Sequence, residues 1–138
     1  MKVGLIGLGR MGSALAERLI AGGHEVVGFD PVEQMRATAQ QVGVLVVDTI
    51  AQVCQQVKVV WLMVPVDAVE SVLEEVCRHV YAGAIIIDGG NSFYKDSQRR
   101  ALVVAQDDIA FLDCGTSGGV HGRAEGFCLM VGGDIAAY

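Results

Sequence analysis

A glycine-rich segment near the amino terminus constrains the fold more than any other feature of the sequence. The apolar run Lys2–Ile6 has the composition of a buried strand, and Met11–Ala21 repeats its apolar residues with the period of an α-helix. The segment that joins them has the spacing Gly-x-Gly-x-x-Gly, in the order Gly7-Leu8-Gly9-Arg10-Met11-Gly12. This spacing predicts a sharp turn from a strand into a helix, which is the first part of a βαβ unit.

The same alternation of apolar and amphipathic segments continues along the chain. Further strands are predicted at Glu25–Phe29, Val44–Val47, Lys58–Val64, Ala84–Ile87, Ile109–Leu112 and Phe127–Val131. Helices are predicted at Pro31–Gln41, at Thr49–Gln55, from Pro65 through Val80, and at Ser92–Ala105. Because near-continuous apolar strands alternate with helices, we expect an α/β fold with a doubly wound, mostly parallel sheet of the Rossmann type, in the strand order 3-2-1-4-5-6.

The length and charge of the chain exclude several kinds of protein. With 138 residues, the chain is long enough for one domain, residues 1–138, and too short for two. The net charge of −6 and the lack of a Lys/Arg cluster argue against a nucleic-acid partner. The longest apolar runs, such as residues 57–66, are too short to span a bilayer, so no membrane association is expected.

The four cysteines indicate a reducing environment and not a metal site. Cys54, Cys77, Cys114 and Cys128 form no Cys-x-x-Cys pair, and no histidine lies at metal-ligand spacing from them. We therefore expect free thiols, no bound metal ion and a cytoplasmic location.

The glycine-rich segment is predicted to bind a dinucleotide. Asp30 lies 18 residues after Gly12, at the end of the second predicted strand, where a carboxylate can accept hydrogen bonds from ribose hydroxyls. In such a site the first glycine allows the tight turn, the second lets the backbone approach a pyrophosphate, and the third lets helix and strand pack closely. The helix that starts near Arg10 directs its free N–H groups at the phosphates. The alternative is that Gly7–Gly12 only makes a tight turn and that Asp30 only caps the helix beginning at Pro31.

Two further expectations concern the cofactor. Met63-Val64-Pro65 follows the fourth strand and would lie at the carboxyl edge, where ligands of such sheets bind, although it could equally be a strand end followed by a helix start. The negative charge of Asp30 favours NAD, which has a hydroxyl at the adenosine 2′ position, over NADP, which has a phosphate there. Arg36 is the one nearby cation that could reduce this preference.

Three segments together resemble 6-phosphogluconate dehydrogenase, a member of the β-hydroxyacid dehydrogenase group. The first is the glycine-rich segment. The second is Asp88-Gly89-Gly90-Asn91-Ser92-Phe93-Tyr94-Lys95-Asp96, and the third is Asp113-Cys114-Gly115-Thr116-Ser117-Gly118-Gly119-Val120-His121-Gly122, continuing to Gly126 and Met130-Val131-Gly132-Gly133. Relatives such as 3-hydroxyisobutyrate dehydrogenase and tartronate semialdehyde reductase tend to carry a Pro-Val-Ser-Gly-Gly version of the third segment and to lack the Gly-Gly-Asn-Ser stretch.

The resemblance implies an activity and a set of site residues. The family oxidises the C3 hydroxyl of 6-phosphogluconate, passes a hydride to NADP or NAD, and releases carbon dioxide to give ribulose 5-phosphate. By this resemblance, the substrate is a small sugar-acid phosphate, Asn91 lies between nicotinamide and substrate, and Ser117, Gly118 and Gly119 contact the sugar acid. Their chemistry agrees, because an amide both donates and accepts hydrogen bonds and a Ser-Gly-Gly turn exposes backbone N–H groups. From the residues alone, Asn91 could equally cap a helix, and the Ser-Gly-Gly turn could simply be flexible.

The groups that complete such a site are expected outside this sequence. In the family, a lysine and a glutamate at the start of a downstream helical domain act as base and acid, and that domain also supplies the dimer interface. Asp134 has the character of a helix N-cap, but only four residues follow it. We therefore expect a chain cut from a longer, homodimeric enzyme and inactive by itself. Two alternatives stay open, namely another β-hydroxyacid dehydrogenase of the 3-hydroxyisobutyrate type and a non-catalytic NAD-binding regulatory module.

Overall fold

Strands and helices alternate along the part of the chain that the computed structural model describes, residues 1–119 and 121–138. Val120, which belongs to the third segment of the resemblance, lies outside the described residues. The strands are β1 (Lys2–Ile6), β2 (Glu25–Phe29), β3 (Leu45–Val46), β4 (Val59–Leu62), β5 (Ile85–Asp88), β6 (Ala110–Ser117) and β7 (Cys128–Gly133). The helices are α1 (Arg10–Ala21), α2 (Glu33–Gln41), α3 (Ile50–Cys54), α4 (Val66–Cys77), α5 (Tyr94–Val104) and α6 (Gly122–Glu125), with a 3-10 turn at Ala105–Asp107.

The described strands form one sheet in the order β3-β2-β1-β4-β5-β6-β7. Strands β1 to β6 are parallel, and β7 is antiparallel to β6. The predicted order of the first six strands and the mostly parallel, doubly wound architecture are therefore confirmed, and the seventh predicted strand forms an antiparallel edge. Because parallel strands point the same way, the loops after β1, β4 and β5 leave the sheet at one edge, called the carboxyl edge below.

Apolar side chains cover both faces of the sheet. Leu5 and Ile6 are neighbours in β1 and both are buried, but they point to opposite faces and belong to different clusters. The cluster that contains Ile6 packs the sheet against α3, α4 and α5, and the cluster that contains Leu5 packs it against α1 and α2. Burial on both faces explains why these strands are apolar along their whole length. A fully buried leucine such as Leu62 stabilises the fold by about 2–5 kcal/mol relative to alanine.

Two predicted helix starts were wrong because polar side chains bind the backbone or each other just ahead of the helix. Helix α2 begins at Glu33 and not at Pro31, since Asp30 Oδ1 first accepts the N–H of Val32 at 2.8 Å. Helix α5 begins at Tyr94 and not at Ser92, since the Ser92 hydroxyl donates to Asp88 Oδ2 at 2.6 Å instead of capping a helix. Both side chains form tight turns that compete with helical geometry.

Strand β6 is longer than the prediction, which ended it at Leu112. The apolar pattern stops there, but antiparallel pairing with β7 continues the strand to Ser117. Asp88, the last residue of β5, lies opposite Asp113, so residues 114–117 project beyond β5 by about 13 Å at about 3.3 Å per residue. Ser117 is therefore the last residue of β6. The prediction that ended this strand at Leu112 had placed Ser117 in the loop after it.

The four cysteines are free thiols that differ in exposure. Cys54 and Cys114 are buried, Cys77 is half-buried and Cys128 is exposed. Burial raises the pKa of the Cys54 thiol to about 11, which makes it a weak nucleophile at neutral pH. Within residues 1–119 and 121–138, none of the helices has the length and apolar character needed to cross a bilayer, and no cluster of His, Cys, Asp or Glu side chains could hold a metal ion.

Candidate active site

The loops that follow β1, β4 and β5 are in contact along the carboxyl edge. The N–H of Met63 donates to the carbonyl oxygen of Ile6 at 2.7 Å, and the N–H of Gly89 donates to that of Leu62 at 2.9 Å. A β-carbon at Gly7 would overlap the carbonyl of Met63, and one at Gly89 would lie 2.5 Å from Met63 Sδ. The first two segments of the resemblance, with the β4–α4 loop between them, therefore form one continuous surface.

Close packing fixes the shape of the turn between β1 and α1. Gly7 has a φ of +95°, a conformation that residues with a side chain rarely adopt. A β-carbon at Gly12 would overlap the carbonyl oxygen of Gly7, so the helix approaches the turn at backbone distance. The Ser13 hydroxyl donates to the carbonyl oxygen of Leu8 at 2.6 Å and holds the other side of the turn.

The same turn leaves space for a ligand at Gly9. Gly9 is the N-cap residue of α1, and a β-carbon added there would meet no described atom within 4 Å. Gly9 has no capping side chain and the first turn has no acidic residue, so the N–H groups of residues 10–12 have no partner inside the helix. Those N–H groups and the helix dipole give this end a positive potential. The turn therefore fits the diphosphate of a dinucleotide.

Asp30 is bound into this turn. The residue is 8% exposed, and its Oδ2 accepts the N–H of Leu8 at 2.8 Å while Oδ1 accepts that of Val32. Since α2 begins at Glu33 with Val32 as its N-cap residue, Asp30 is not the N-cap that the alternative interpretation required. Each carboxylate oxygen keeps a second lone pair, so a ribose hydroxyl can still donate to Asp30.

Arg36, which the sequence analysis named as the one nearby cation, lies beside Asp30. Its Nη1 donates to the backbone carbonyl oxygen of Asp30 at 2.6 Å, so the guanidinium folds back over the start of α2. The site thus combines a carboxylate with a neighbouring cation.

The loop after β5 presents Asn91. This residue is exposed and has a φ of 58°, in the left-handed region that asparagine tolerates better than most residues. Phe93 is the N-cap residue of α5, so Asn91 does not cap that helix. Its exposed amide is therefore available to donate and accept hydrogen bonds.

The described residues of the third segment of the resemblance lie in the β6–β7 hairpin and its tip. Ser117 ends β6, and the two glycines after it have φ values of 149° and 49°. Beyond Val120, the short helix α6 packs against α1, where Arg18 Nη1 donates to the carbonyl oxygen of Ala124 at 3.3 Å. The hairpin tip therefore reaches back to the helix that starts at the glycine-rich turn.

A cavity of about 300 Å³ lies between the tip and the turn. Gly9 lines it from the turn, Gly119 from the tip, and Arg123 from α6. Arg123 was not predicted as a site residue because a loop arginine is usually solvated, but its Nε lies 2.7 Å from Glu17 Oε2. The cavity brings together the first and third segments of the resemblance. Asn91 is not among the described residues that line it.

A comparison with known protein families identifies the family of this chain. A family described as the NAD binding domain of 6-phosphogluconate dehydrogenase matches residues 2–138. The chain belongs to this family. The resemblance stated from the three segments is therefore confirmed, and so is the expectation that the domain binds NAD or NADP.

Curated relatives of this NAD-binding domain are dehydrogenases. The NAD(+)-dependent, decarboxylating 6-phosphogluconate dehydrogenase of Haloferax volcanii is 43% identical over an alignment that covers 100% of this chain and 46% of the relative. The NADP(+)-dependent, decarboxylating enzyme of Bacillus subtilis is 31% identical, with 99% of this chain and 31% of the relative covered. The chain thus spans less than half the length of these relatives.

Solved structures of two related enzymes superpose closely on the domain. The 3-hydroxyisobutyrate dehydrogenase of Mycobacterium tuberculosis has a TM-score of 0.93 at 28% identity, covering 99% of this chain and 47% of that one. The 6-phosphogluconate dehydrogenase of Plasmodium falciparum, known in its apo form and in complexes with NADP+ and with 6-phosphogluconate, has a TM-score of 0.88 at 30% identity. The superposition covers 100% of this chain and 32% of the Plasmodium falciparum enzyme. The same domain architecture therefore serves dehydrogenases that are named for different hydroxy acids.

Proposed function

We propose that this chain is the cofactor-binding domain of a decarboxylating 6-phosphogluconate dehydrogenase. The reaction oxidises the C3 hydroxyl of 6-phosphogluconate, and the resulting β-keto acid loses carbon dioxide to give ribulose 5-phosphate. The observation that carries the proposal is the continuous edge formed by Gly7, Met63 and Gly89, because it joins a dinucleotide turn to the Gly-Gly-Asn-Ser loop. The 43% identity with the Haloferax volcanii enzyme supports the same reaction.

Residues of the carboxyl edge are proposed to hold the cofactor. NAD or NADP, when bound, supplies the acceptor for the hydride that leaves C3. The N–H groups at the start of α1 are suited to its diphosphate, and Leu8 contributes its position only, because its own N–H donates to Asp30. The proposed cofactor-binding residues are Gly7, Leu8, Gly9, Arg10, Met11, Gly12, Asp30, Met63, Val64, Pro65 and Asn91.

Asn91 and the hairpin tip are proposed to bind the sugar acid. The exposed Asn91 amide can both donate and accept, and it lies in the loop that contacts the cofactor turn through Met63. Ser117 offers a hydroxyl, and Gly118 and Gly119 offer backbone N–H groups that suit a carboxylate or a hydroxyl. The cavity that Gly119 shares with Gly9 supports the place of the tip beside the cofactor turn.

We propose further that residues 1–138 work as one domain of a longer, homodimeric enzyme. Oxidation of the C3 hydroxyl needs a base that takes its proton. The enediol that forms when carbon dioxide leaves needs an acid that protonates it. The resemblance assigns these roles to a lysine and a glutamate of a helical domain that also forms the dimer interface. The relative lengths support this proposal, since the chain matches 46% of the Haloferax volcanii enzyme.

A second candidate function is another β-hydroxyacid dehydrogenase of the 3-hydroxyisobutyrate type. The TM-score of 0.93 with the Mycobacterium tuberculosis enzyme favours it. The two candidates share the cofactor and the oxidation of a hydroxy acid, and they differ in the acid that is bound.

A substrate panel on the full-length gene product tests both candidates. With 6-phosphogluconate, we expect reduction of the cofactor together with equimolar carbon dioxide and ribulose 5-phosphate. With 3-hydroxyisobutyrate, we expect a much lower kcat/KM. Faster turnover of 3-hydroxyisobutyrate, with no carbon dioxide released from 6-phosphogluconate, would reverse the assignment.

A further inference from the structure

We propose that Arg100 is a positioning residue that fixes Asn91 at the carboxyl edge by way of the Asp88 carboxylate. This inference rests on the proposed function, in which Asn91 binds both the cofactor and the sugar acid, and on the resemblance, which places Asn91 between nicotinamide and substrate. Arg100 itself lies on α5 and its side chain is only 6% exposed, so it acts from beneath the loop. Nothing in the three segments of the resemblance marks it, since it follows the second segment.

A single carboxylate holds both neighbours of Asn91. The N–H of Gly90 donates to Asp88 Oδ1 at 2.9 Å, and the hydroxyl of Ser92 donates to Asp88 Oδ2 at 2.6 Å. Asn91 lies between these two contacts, with a φ of 58° that a residue with a β-carbon does not favour. The contacts on either side therefore impose the left-handed conformation that directs the Asn91 amide.

Arg100 balances the charge of that carboxylate. The Asp88 side chain is fully buried, and a buried charge is tolerated only when it is paired and hydrogen-bonded. Arg100 Nη1 lies 3.3 Å from Asp88 Oδ2 and donates to Ser92 Oγ at 2.8 Å, so one guanidinium nitrogen contacts both ends of the Asp88–Ser92 hydrogen bond. Removing Arg100 leaves Asp88 without its cation and frees the Ser92 hydroxyl from one of its partners.

The position of Arg100 is fixed in turn by Glu70 on α4. Arg100 Nε donates to Glu70 Oε2 at 3.0 Å, and the neighbouring Arg99 binds both oxygens of Glu70, at 2.9 and 2.8 Å. The side chain of Arg99 is 51% exposed, and its guanidinium contacts neither Asp88 nor Ser92. Arg99 and Arg100 thus share one carboxylate, but only Arg100 reaches the loop, which makes Arg99 a matched control.

The test compares two ligands that differ at the nicotinamide end. NAD+ and ADP-ribose share the adenosine and diphosphate, so calorimetric titration of the 138-residue chain with each ligand separates contacts to nicotinamide from contacts to the rest. For Arg100→Gln we expect NAD+ to bind about 3- to 10-fold more weakly, the worth of one hydrogen bond, and ADP-ribose to change less than about twofold. For Arg99→Gln we expect both affinities to stay within about twofold of the unmodified chain.

Two further variants keep the test decisive. Ser92→Ala removes one of the two contacts that flank Asn91 without leaving a buried charge unpaired. It therefore replaces Arg100→Gln in the test if that variant does not fold. The same selective loss of NAD+ affinity is expected. Asn91→Ala tests the proposed function itself. If Asn91→Ala leaves the ratio of the two affinities unchanged, the role of Asn91 fails. If Asn91→Ala lowers NAD+ affinity selectively but folded Arg100→Gln and Ser92→Ala do not, or weaken both ligands equally, the positioning role of Arg100 is wrong.

Discussion

Asp30 and Leu8, which lie 22 residues apart in sequence, are joined by a hydrogen bond of 2.8 Å from the Leu8 N–H to Asp30 Oδ2. The bond ties the end of β2 to the glycine-rich turn after β1. The other carboxylate oxygen binds the N–H of Val32, so Asp30 also sets the turn that precedes α2. The acid that the spacing predicted for the ribose is therefore a structural part of the cofactor turn as well.

Asp30→Asn is expected to destabilise the fold by about 1–3 kcal/mol. An amide has only one accepting oxygen, so one of two N–H groups would lose its partner: that of Leu8, whose hydrogen bond is buried, or that of Val32, whose hydrogen bond is part-buried. Urea unfolding measures this loss. Asp48→Asn, at an exposed aspartate, is the control and should change the free energy of unfolding by less than about 0.5 kcal/mol. Equal stability of the two variants would show that the Asp30 hydrogen bonds contribute little.

The chain is expected to bind NAD about tenfold more tightly than NADP. Two like charges about 4 Å apart repel by about 4 kcal/mol at an effective dielectric constant of about 20, and solvent reduces this toward the ~1.4 kcal/mol that corresponds to tenfold. Arg36, bound to the Asp30 carbonyl, offsets part of the repulsion. Arg36→Ala should therefore weaken NADP binding more than NAD binding.

Titration of both cofactors at low salt tests this preference. Arg78→Ala, at the exposed C-cap residue of α4, should leave both affinities unchanged. If the unmodified chain bound NADP as tightly as NAD, the Asp30 carboxylate would act only within the turn and would not select the cofactor.

Alanine at Gly9 should lower the affinity for NAD+, whereas alanine at Gly12 should lower the stability of the fold. The open space around Gly9 accommodates a methyl group, so Gly9→Ala should change the free energy of unfolding by less than about 1 kcal/mol while lowering NAD+ affinity about tenfold or more. At Gly12, the added carbon would overlap the carbonyl of Gly7, so Gly12→Ala should destabilise by about 1–3 kcal/mol. Denaturant unfolding and NAD+ titration of the same samples separate the two effects. A stable Gly9→Ala variant with unchanged affinity would place the diphosphate elsewhere.

The ion pairs of Glu70 with Arg99 and Arg100, called the Glu70 cluster, should make the free energy of unfolding vary with pH in the acid range. Hydrogen bonds from Arg99 and then Arg100 lower the pKa of Glu70 from 4.5 to about 2. A carboxylate with a lowered pKa in the folded state stabilises the fold above its unfolded pKa, and this contribution is lost as the pH falls from 4.5 toward 2. Because the Glu70 side chain is 44% exposed, we expect at most about 1 kcal/mol near neutral pH.

Glu70→Gln provides the measurement for this cluster. Its difference in unfolding free energy from the unmodified chain should be largest near neutral pH and should shrink as the pH is lowered through this range. Glu74→Gln, on the same helix and 65% exposed, should show a smaller difference. A difference for Glu70→Gln that does not vary with pH would mean that the ion pairs with Arg99 and Arg100 do not stabilise the fold.

The isolated 138-residue chain should bind NAD+ and show no turnover of 6-phosphogluconate. Loss of a general base alone typically lowers the rate by about 10²–10⁴-fold, and the proposal places both base and acid in another segment. Spectroscopic detection of NADH, with NAD+ binding verified in the same sample, is the measurement. NADH formation by a preparation free of other dehydrogenases would place the base within residues 1–138.

The sheet and the cofactor turn could be predicted because local sequence determines them. The strands around Leu5 and Ile6 are buried on both faces and are therefore apolar throughout, and the turn at Gly7 needs a residue that adopts positive φ. The end of β6 was missed because its last residues are polar or small and become a strand only by pairing with β7. Such pairing depends on a distant partner, which no local pattern reveals.

The contacts that organise the site were also beyond local patterns. Arg100 reaches Asp88 across 12 residues that include a loop and the first part of a helix, and Arg18 binds the carbonyl of Ala124 across 106 residues. Which of several arginines meets which carboxylate is decided by helix packing. The sequence identified Asn91 as a candidate site residue, but the charges that fix its conformation became visible only in three dimensions.

The projecting β6–β7 hairpin makes the end of this domain that we propose to bind the acid structurally separate from the parallel sheet. Its tip is closed by hydrogen bonds of its own, from the N–H of Gly122 to the carbonyl of Gly118 at 2.9 Å and from the N–H of Gly126 to that of Gly122 at 3.0 Å. None of the parallel strand pairs depends on those bonds. The role proposed for the tip therefore predicts that another sequence grafted between Ser117 and Cys128 redirects the domain to a different hydroxy acid. The hydrogen bonds that hold the cofactor turn, from Ser13 to Leu8 and from Leu8 to Asp30, lie outside the exchanged residues.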